Sequence, residues 1–169
     1  MFNPEQILEK AKTSKKHLKL LNFALARKIP FNKPHGFKIA EFDEYRVKVH
    51  IPYKRQNFNH IKGLHACGLA TISEYATGFV LLNNLGSDEY RIIMQRMEMD
   101  YFYQGKMDAY AYFEVSEEWL DKEVKEPLKT SDKTVIKCEV KIHDEEGNHL
   151  TTGNIFWQVK NWSKVKTKA

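Results

Sequence analysis

The stretch that decides the fold is NHIKGLHACGLATISEYATGFVLLNNLG, residues 59–86. From Leu64 to Leu85 it contains no proline, lysine or arginine, and apolar or small residues occur on every side of a helical wheel. A helix that is apolar all round is typical of a protein interior, because none of its faces is suited to water. We therefore predict that this segment is a central helix enclosed by the rest of the chain.

Glu74 is the only charged residue in that helix. Thr71 and Thr77 lie three residues to either side, so we predict that the three polar side chains form one narrow stripe. Burying an unpaired carboxylate costs on the order of several kcal/mol. A glutamate at this position must therefore be paired, protonated or exposed to a cavity that water or a ligand reaches. Glu74 is the first candidate for a functional site.

The composition is that of an ordinary globular protein. The chain has 169 residues, of which 42% are hydrophobic and 29% charged, and we predict a single domain, residues 1–169. No apolar run is long enough to span a bilayer and the N-terminus lacks a signal pattern, so we expect a cytoplasmic protein without a membrane span. The net charge of +5 lies partly in a basic tail, residues 163–169. We expect no nucleic-acid partner, because no basic stripe carries interleaved aromatic residues.

The two cysteines do not indicate a structural framework. Cys67 and Cys138 are too few for a disulfide-rich fold, and neither a CxxC pair nor paired Cys/His spacing for zinc occurs. We therefore predict no metal site.

The rest of the chain predicts short helices and strands. Asn3 followed by Pro4 is an N-cap signal, and apolar residues at helical spacing predict an N-terminal helix over about residues 4–28. Ser116 and the acidic residues after it predict a short helix that ends before Pro127. Apolar alternation and turn residues predict six strands: Phe37–Phe42, Tyr45–Tyr53, Tyr90–Tyr103, Met107–Val115, Thr134–His143 and Leu150–Trp162.

The order of these elements predicts the fold class. Two strands precede the central helix and four follow it, and strands do not alternate one by one with helices as they would in a parallel sheet. One antiparallel sheet curled around one apolar helix is the economical way to bury both. We predict an α+β protein with this core over about residues 36–162 and an extra N-terminal helix.

The central stretch resembles a known superfamily, the hotdog-fold acyl-CoA thioesterases, in which a long antiparallel sheet wraps a central helix. Their phenylacetate-pathway-like branch carries Asn, a short loop with Gly, a His-Gly-Gly opening of the helix, and Asp or Glu two to three turns further on. This chain shows the same order at similar spacing: Asn59, Gly63, His65-Ala66-Cys67-Gly68 and Glu74. It looks closest to a domain-of-unknown-function branch of that superfamily.

The resemblance implies an enzyme that hydrolyses a thioester of coenzyme A or of an acyl carrier, with no cofactor beyond the coenzyme A of the substrate. Glu74 would be the general base, or the nucleophile through an anhydride, and the sequence leaves both open. A helix N-terminus offers unpaired amides, so we predict an oxyanion hole at Ala66 and Cys67. Asn59 and His65 would complete the catalytic set by orienting the carbonyl or the attacking water.

Two further residues are predicted to bind substrate. Gly63 lies in the loop before the helix, and Gln95 would replace the Ser or Thr that similar thioesterases carry on the strand after the helix to hold water. The resemblance also implies a homodimer and allows a tetramer. Each site would take the loop and helix N-terminus from one subunit and the acidic residue from the other.

Two other functions fit the same residues. One is a non-catalytic protein that binds acyl-CoA or an acyl carrier, with a structural Glu74. The other is a hotdog hydratase or dehydratase, because those enzymes use a loop His and a helix Glu, and His60 and Glu74 have a comparable separation. The Gly-His-Phe-Pro signature of the dehydratases is missing, since His60 is followed by Ile61-Lys62-Gly63.

Overall fold

The computed structural model describes residues 4–165. Its helices are α1 (Pro4–Ala11), α2 (Lys15–Lys28), α3 (Asn32–His35), α4 (Ala66–Leu85), α5 (Glu117–Leu120) and α6 (Glu126–Thr130). Its strands are β1 (Lys38–Phe42), β2 (Arg46–Ile51), β3 (Tyr90–Tyr101), β4 (Ala109–Glu114), β5 (Lys133–Asp144) and β6 (His149–Asn161). The predicted cap Asn3 and residues 166–169 of the predicted tail lie outside the described residues.

The central helix α4 packs against the sheet and contacts β2 to β6. Two of its glycines allow this close packing. A Cβ on Gly68 would lie 3.0 Å from the Cδ1 atom of Ile51, and a Cβ on Gly78 would lie 3.1 Å from the ring of Trp157. The helix ends at Gly86, whose φ of 75° favours glycine. Within residues 4–165, neither α4 nor any other helix is both long and apolar enough to cross a membrane.

All six strands form one antiparallel sheet in the order β1-β2-β4-β5-β6-β3. Burial alternates along β5 and β6, so one face of the sheet packs inward on α4 while the other faces solvent. The predicted α+β architecture is confirmed: a sheet wraps a long central helix, which is the hotdog fold. The strand ends lie within two residues of the predicted ones.

The two edges of the sheet differ. β3 forms one edge and is 12 residues long, with no strand of the described chain on its outer side. β1 forms the other edge, where Asn22 of α2 bonds to the backbone of Ile39. The Asn22 side chain donates to the Ile39 carbonyl at 2.8 Å and accepts from the Ile39 amide at 2.8 Å. At Ile39, the Asn22 side chain therefore forms the two backbone hydrogen bonds that a neighbouring strand would otherwise form.

The predicted single N-terminal helix is wrong, because two helices occupy this region. Ser14 has an extended backbone, with φ −114° and ψ 115°, and its hydroxyl accepts from the amide of His17 at the start of α2. A serine that caps a new helix competes with continuation of the previous one. The two helices still bury an apolar face, including Ala11 and Leu21, against the core.

The predicted end of the short helix before Pro127 is also wrong. Helical structure continues to Thr130, through a π-helical turn at Asp121–Lys125 that joins α5 to α6. Pro127 lies in the first turn of α6, where the missing N–H of proline is tolerated.

The prediction that α4 is enclosed on every side is wrong for the single chain. Cys67 is exposed, and Leu82 is 46% exposed on the same side of the helix as Glu74. The predicted stripe is also wrong at Thr77, which is fully buried and accepts a 2.9 Å hydrogen bond from the indole of Trp157. Successive residues turn by about 100° along a helix, so three-residue steps drift around its axis and carry Thr77 into the core.

Candidate active site

The loop before α4 is held by Asn59. Its Oδ1 atom accepts from the backbone amides of Ile61 at 3.1 Å and Gly63 at 2.9 Å. The backbone amide of Asn59 donates to the Gly63 carbonyl at 2.8 Å. Gly63 is buried, and a Cβ there would lie 2.7 Å from the Cγ atom of Gln104. Both residues therefore fix the shape of the loop, and Gly63 lines neither of the two cavities described below.

The role of Asn59 gives a first testable prediction. We expect Asn59→Ala to lower the free energy of unfolding by about 1 kcal/mol, because two loop amides lose their acceptor. We expect Asn59→Asp to stay within about 0.5 kcal/mol of the parent protein, because the carboxylate keeps an acceptor in place. Urea unfolding measures both. Equal losses in the two variants would show that the acceptor oxygen does not hold the loop.

His65 caps the helix through its side chain. Its Nδ1 atom accepts from the amide of Cys67 at 3.1 Å, and its backbone amide donates to the carbonyl of Asn57 at 2.8 Å. Since Nδ1 is an acceptor, the neutral imidazole carries its proton on Nε2, which leaves that N–H as a donor near the helix start.

The two predicted oxyanion donors differ in availability. The Cys67 amide is bonded to His65. The Ala66 amide, at the first helical position, has no hydrogen-bond partner among the described residues. Tyr101, at the end of β3, donates from its hydroxyl to the Ala66 carbonyl at 3.1 Å. Nothing in the sequence connects the end of β3 with the start of α4, so only the fold reveals this contact.

Glu74 lies half-buried in a groove of 640 Å³ between α4 and the N-terminal helices. No described residue forms a hydrogen bond or ion pair with its carboxylate. Burial raises the pKa of Glu74 above the ordinary value for a glutamate. Removing water from a carboxylate without supplying a partner keeps it basic, which is the state that a general base or nucleophile requires.

A second cavity, of 230 Å³, lies at the start of α4. His65, Cys67 and Gly68 line it, together with Phe31 and Thr71. The last two residues also line the groove that holds Glu74, so the two cavities adjoin. The Thr71 hydroxyl donates to the Cys67 carbonyl at 2.8 Å, which places this side chain between the helix start and the acid.

The remaining predicted site residues lie apart from these cavities. Gln95 is exposed at a bulge in the edge strand β3 and lines neither cavity. His60 is exposed in the loop and also lines neither. Within residues 4–165, no group of three or more His, Cys, Asp or Glu residues is arranged to hold a metal ion.

Helix geometry separates the donor from the acid. Ala66 and Glu74 are eight positions apart in α4. At a rise of about 1.5 Å per residue, their backbones are about 12 Å apart along the axis. The fold therefore places both groups on α4 but does not bring them together on one carbonyl within a single chain, and Ala66 itself lines neither cavity.

Several solved structures are similar to this chain. A protein of unknown function from Pseudomonas aeruginosa, named a probable thioesterase, is 21% identical with a TM-score of 0.77, and the match covers 85% of this chain and 95% of that one. A thioesterase from Haemophilus influenzae is 13% identical with a TM-score of 0.65, covering 85% and 90%. A variant of a thioesterase enzyme from Staphylococcus aureus is 13% identical with a TM-score of 0.62, covering 78% and 98%. At these identities the likeness shows a shared fold.

The sequence comparisons place the chain in a family. No curated protein matches the sequence. The family described as Domain of unknown function (DUF4442) matches residues 18–159, which include the central helix and the whole candidate site. The predicted resemblance to a domain-of-unknown-function branch with a thioesterase-like hotdog fold is thereby confirmed. The chain belongs to the DUF4442 family.

Proposed function

We propose that the protein hydrolyses acyl thioesters of coenzyme A or of an acyl carrier. The observation that carries this proposal is Glu74, a half-buried carboxylate in a groove near the start of α4. Among the described residues, neither this carboxylate nor the Ala66 amide at the helix start has a hydrogen-bond partner. An acid of raised pKa and a donor for a developing oxyanion are the two groups that thioester hydrolysis needs.

Each residue of the candidate site has a separate role in the proposed hydrolysis. The Ala66 amide donates to the carbonyl oxygen as negative charge develops on it. Glu74 takes a proton from water while the water oxygen attacks the carbonyl carbon, and the thiol leaves after receiving that proton. In the alternative route, the carboxylate itself attacks the carbonyl carbon and the C–S bond breaks, so that the thiolate leaves and an anhydride forms. Water then hydrolyses the anhydride, which releases the carboxylic acid, regenerates Glu74 and supplies the proton that the thiolate takes up. His65 and Asn59 hold the helix start and its loop, with the Nε2–H of His65 available to the substrate carbonyl.

We propose that the complete site is formed between two copies of the chain. A separation of about 12 Å within one helix is too long for one carbonyl to meet both groups, whereas a second helix start can approach Glu74 from outside. The exposed edge strand β3 supports such a pairing. It carries the exposed side chains of Ile93 and Tyr101, and Phe102 and Tyr103 follow it, also exposed.

A non-catalytic binding protein is the second candidate. Two observations favour it: the Cys67 amide is already bonded to His65, and Gln95 lies outside both cavities. The oxyanion hole would then have one backbone donor from α4, and no polar side chain of β3 reaches the groove. No comparable observation favours a dehydratase, since His60 lines neither cavity.

We also propose a cytoplasmic location. Cys67 and Cys138 are both free thiols, and Cys67 is exposed. Exposed free thiols are typical of proteins in reducing compartments.

A panel of acyl-CoA thioesters of different chain length, with detection of the released thiol, tests the proposed reaction. We expect turnover on at least one member and an acidic limb of the pH–rate profile above the usual range for a glutamate, because burial raises the pKa of Glu74. Binding of acyl-CoA without release of thiol from any member would instead identify a binding protein.

A further inference from the structure

The groove beside Glu74 is built by two parts of the chain. α1 and α2 supply one wall, α4 supplies the other, and Trp157 of β6 also lines it. Most of the side chains that line it are apolar, and they include Leu8, Leu21, Leu25, Phe79, Leu82 and Trp157. A volume of 640 Å³ lies within the range of small-molecule sites in proteins.

Gly78 lets α4 pack directly on the Trp157 ring beside the groove. Gly78 lies one helical turn beyond Glu74, and a Cβ there would approach the Trp157 ring to 3.1 Å. The indole is fixed by its hydrogen bond to Thr77. The Trp157 ring is therefore held in place against α4, and it lines the same groove as Glu74.

Position along α4 gives the groove a direction. Glu74 and Thr71 lie at the end that adjoins the cavity at the helix start, and Leu82 lies eight positions beyond Glu74. A reacting carbonyl near the carboxylate would therefore leave an attached hydrocarbon chain to run away from Glu74, along the apolar side chains and toward the end where Asn83 and Ser87 lie. A free carboxylic acid is a poorer occupant, since its charge would meet that of Glu74.

We infer that this groove takes the hydrocarbon chain of a medium- to long-chain acyl thioester, with the N-terminal helices α1 and α2 as its outer wall. The inference rests on the proposed function, because it takes the carbonyl to lie at Glu74. A second copy of the chain is a less suitable occupant. The groove is already walled on two sides by this chain, and none of its lining residues belongs to the edge strand β3.

Binding of non-hydrolysable thioether analogues tests the inference separately from turnover. We expect dodecyl-CoA to bind the parent protein more tightly than butyl-CoA by on the order of tenfold or more, since each buried methylene strengthens binding about fourfold. Leu82→Trp places bulk in the groove and is expected to remove most of this preference while keeping the affinity for butyl-CoA. Val135→Trp is the matched control, because Val135 is also 46% exposed and lies outside the groove. Calorimetric titration gives the affinities, and thermal melting verifies that both variants are folded.

The outcomes separate the inference from the proposed reaction. Chain-length preference without thioester turnover would support the groove and contradict the proposed function. Turnover on the acyl-CoA panel, together with equal binding of the two analogues, would contradict the inference about the groove and leave the proposed function standing. A preference that survives Leu82→Trp would place the hydrocarbon chain elsewhere. If a second copy of the chain covers the groove instead, Leu82→Trp should alter the mass measured by light scattering, and the parent protein should bind the two analogues equally. That result would also overturn the inference.

Discussion

Glu74→Gln is expected to lower kcat for thioester hydrolysis by about 10²- to 10⁴-fold, the usual contribution of a general base, and by more if the carboxylate is the nucleophile. The amide has nearly the same shape but cannot accept a proton from water. Steady-state kinetics on the best acyl-CoA of the panel measures this loss. Glu41→Gln is the control, because Glu41 is an exposed carboxylate on β1, remote in sequence from the helix and outside both cavities.

Glu74→Gln should also raise the stability of the protein, although it lowers the activity. Burial raises the pKa of Glu74, so the folded state holds this proton more tightly than the unfolded chain does. Stability therefore falls as pH rises from the unfolded pKa through the folded pKa, and the ionised side chain destabilises the fold at neutral pH. Glu74→Gln is expected to raise the free energy of unfolding at neutral pH. A less stable variant would instead show that Glu74 has a structural partner and would contradict its assignment as the base.

Ala66→Pro is expected to lower kcat by about 10²- to 10³-fold, the usual loss on removing one oxyanion donor. Proline lacks the N–H in question, yet it is well tolerated at the first position of a helix. The preceding residue, His65, already has φ −71° and ψ 136°, an extended conformation that proline requires of its neighbour. The substitution therefore deletes one hydrogen-bond donor at little structural cost.

Lys15→Pro is the matched control, because Lys15 is the first residue of α2 and also follows a capping residue of extended conformation. It removes an equivalent amide from a helix that has no proposed catalytic role. We expect Lys15→Pro to retain full turnover, with melting temperatures that verify folding of both proline variants. Full activity in Ala66→Pro would mean that this amide does not contact the oxyanion.

The two inactive variants together test whether the site is shared between subunits. If the acid comes from one copy and the helix start from the other, a hybrid of Glu74→Gln and Ala66→Pro chains contains one intact site. Random pairing makes half of the dimers hybrid, so coexpression should restore about a quarter of the parent activity. A site formed within one chain would show no such recovery.

The sequence was sufficient to predict those features that depend on residues close together in the chain. Glu74 was a candidate because a single charge in a long apolar segment requires an explanation, and the fold places it in a groove where no residue within 4–165 pairs with it. The start of the central helix is likewise a local property, although the sequence did not predict that His65 caps it. The antiparallel sheet followed from the order of the elements, since two strands before the helix and four after it leave few ways to bury it.

Other features depend on contacts between distant residues and could not be predicted. The groove requires α1 and α2 to pack beside α4, and no pattern in residues 4–28 indicates which face of the core they cover. Tyr101 reaches the Ala66 carbonyl only because β3 lies at the edge of the sheet beside α4. The assignment of Thr77 to the polar stripe failed because its partner, Trp157, is 80 positions away in the sequence.

The bond between Asn22 and Ile39 bears on how copies of this protein can assemble. A sheet with two free margins can add neighbours at both and so grow into a fibre, whereas one with a single free margin stops at a closed pair. Because the side-chain amide occupies the hydrogen-bonding groups of Ile39, further addition at β1 would have to displace α2. Helix α2 is thus expected to disfavour open-ended polymerisation, and the proposed two-fold pairing would use the opposite margin.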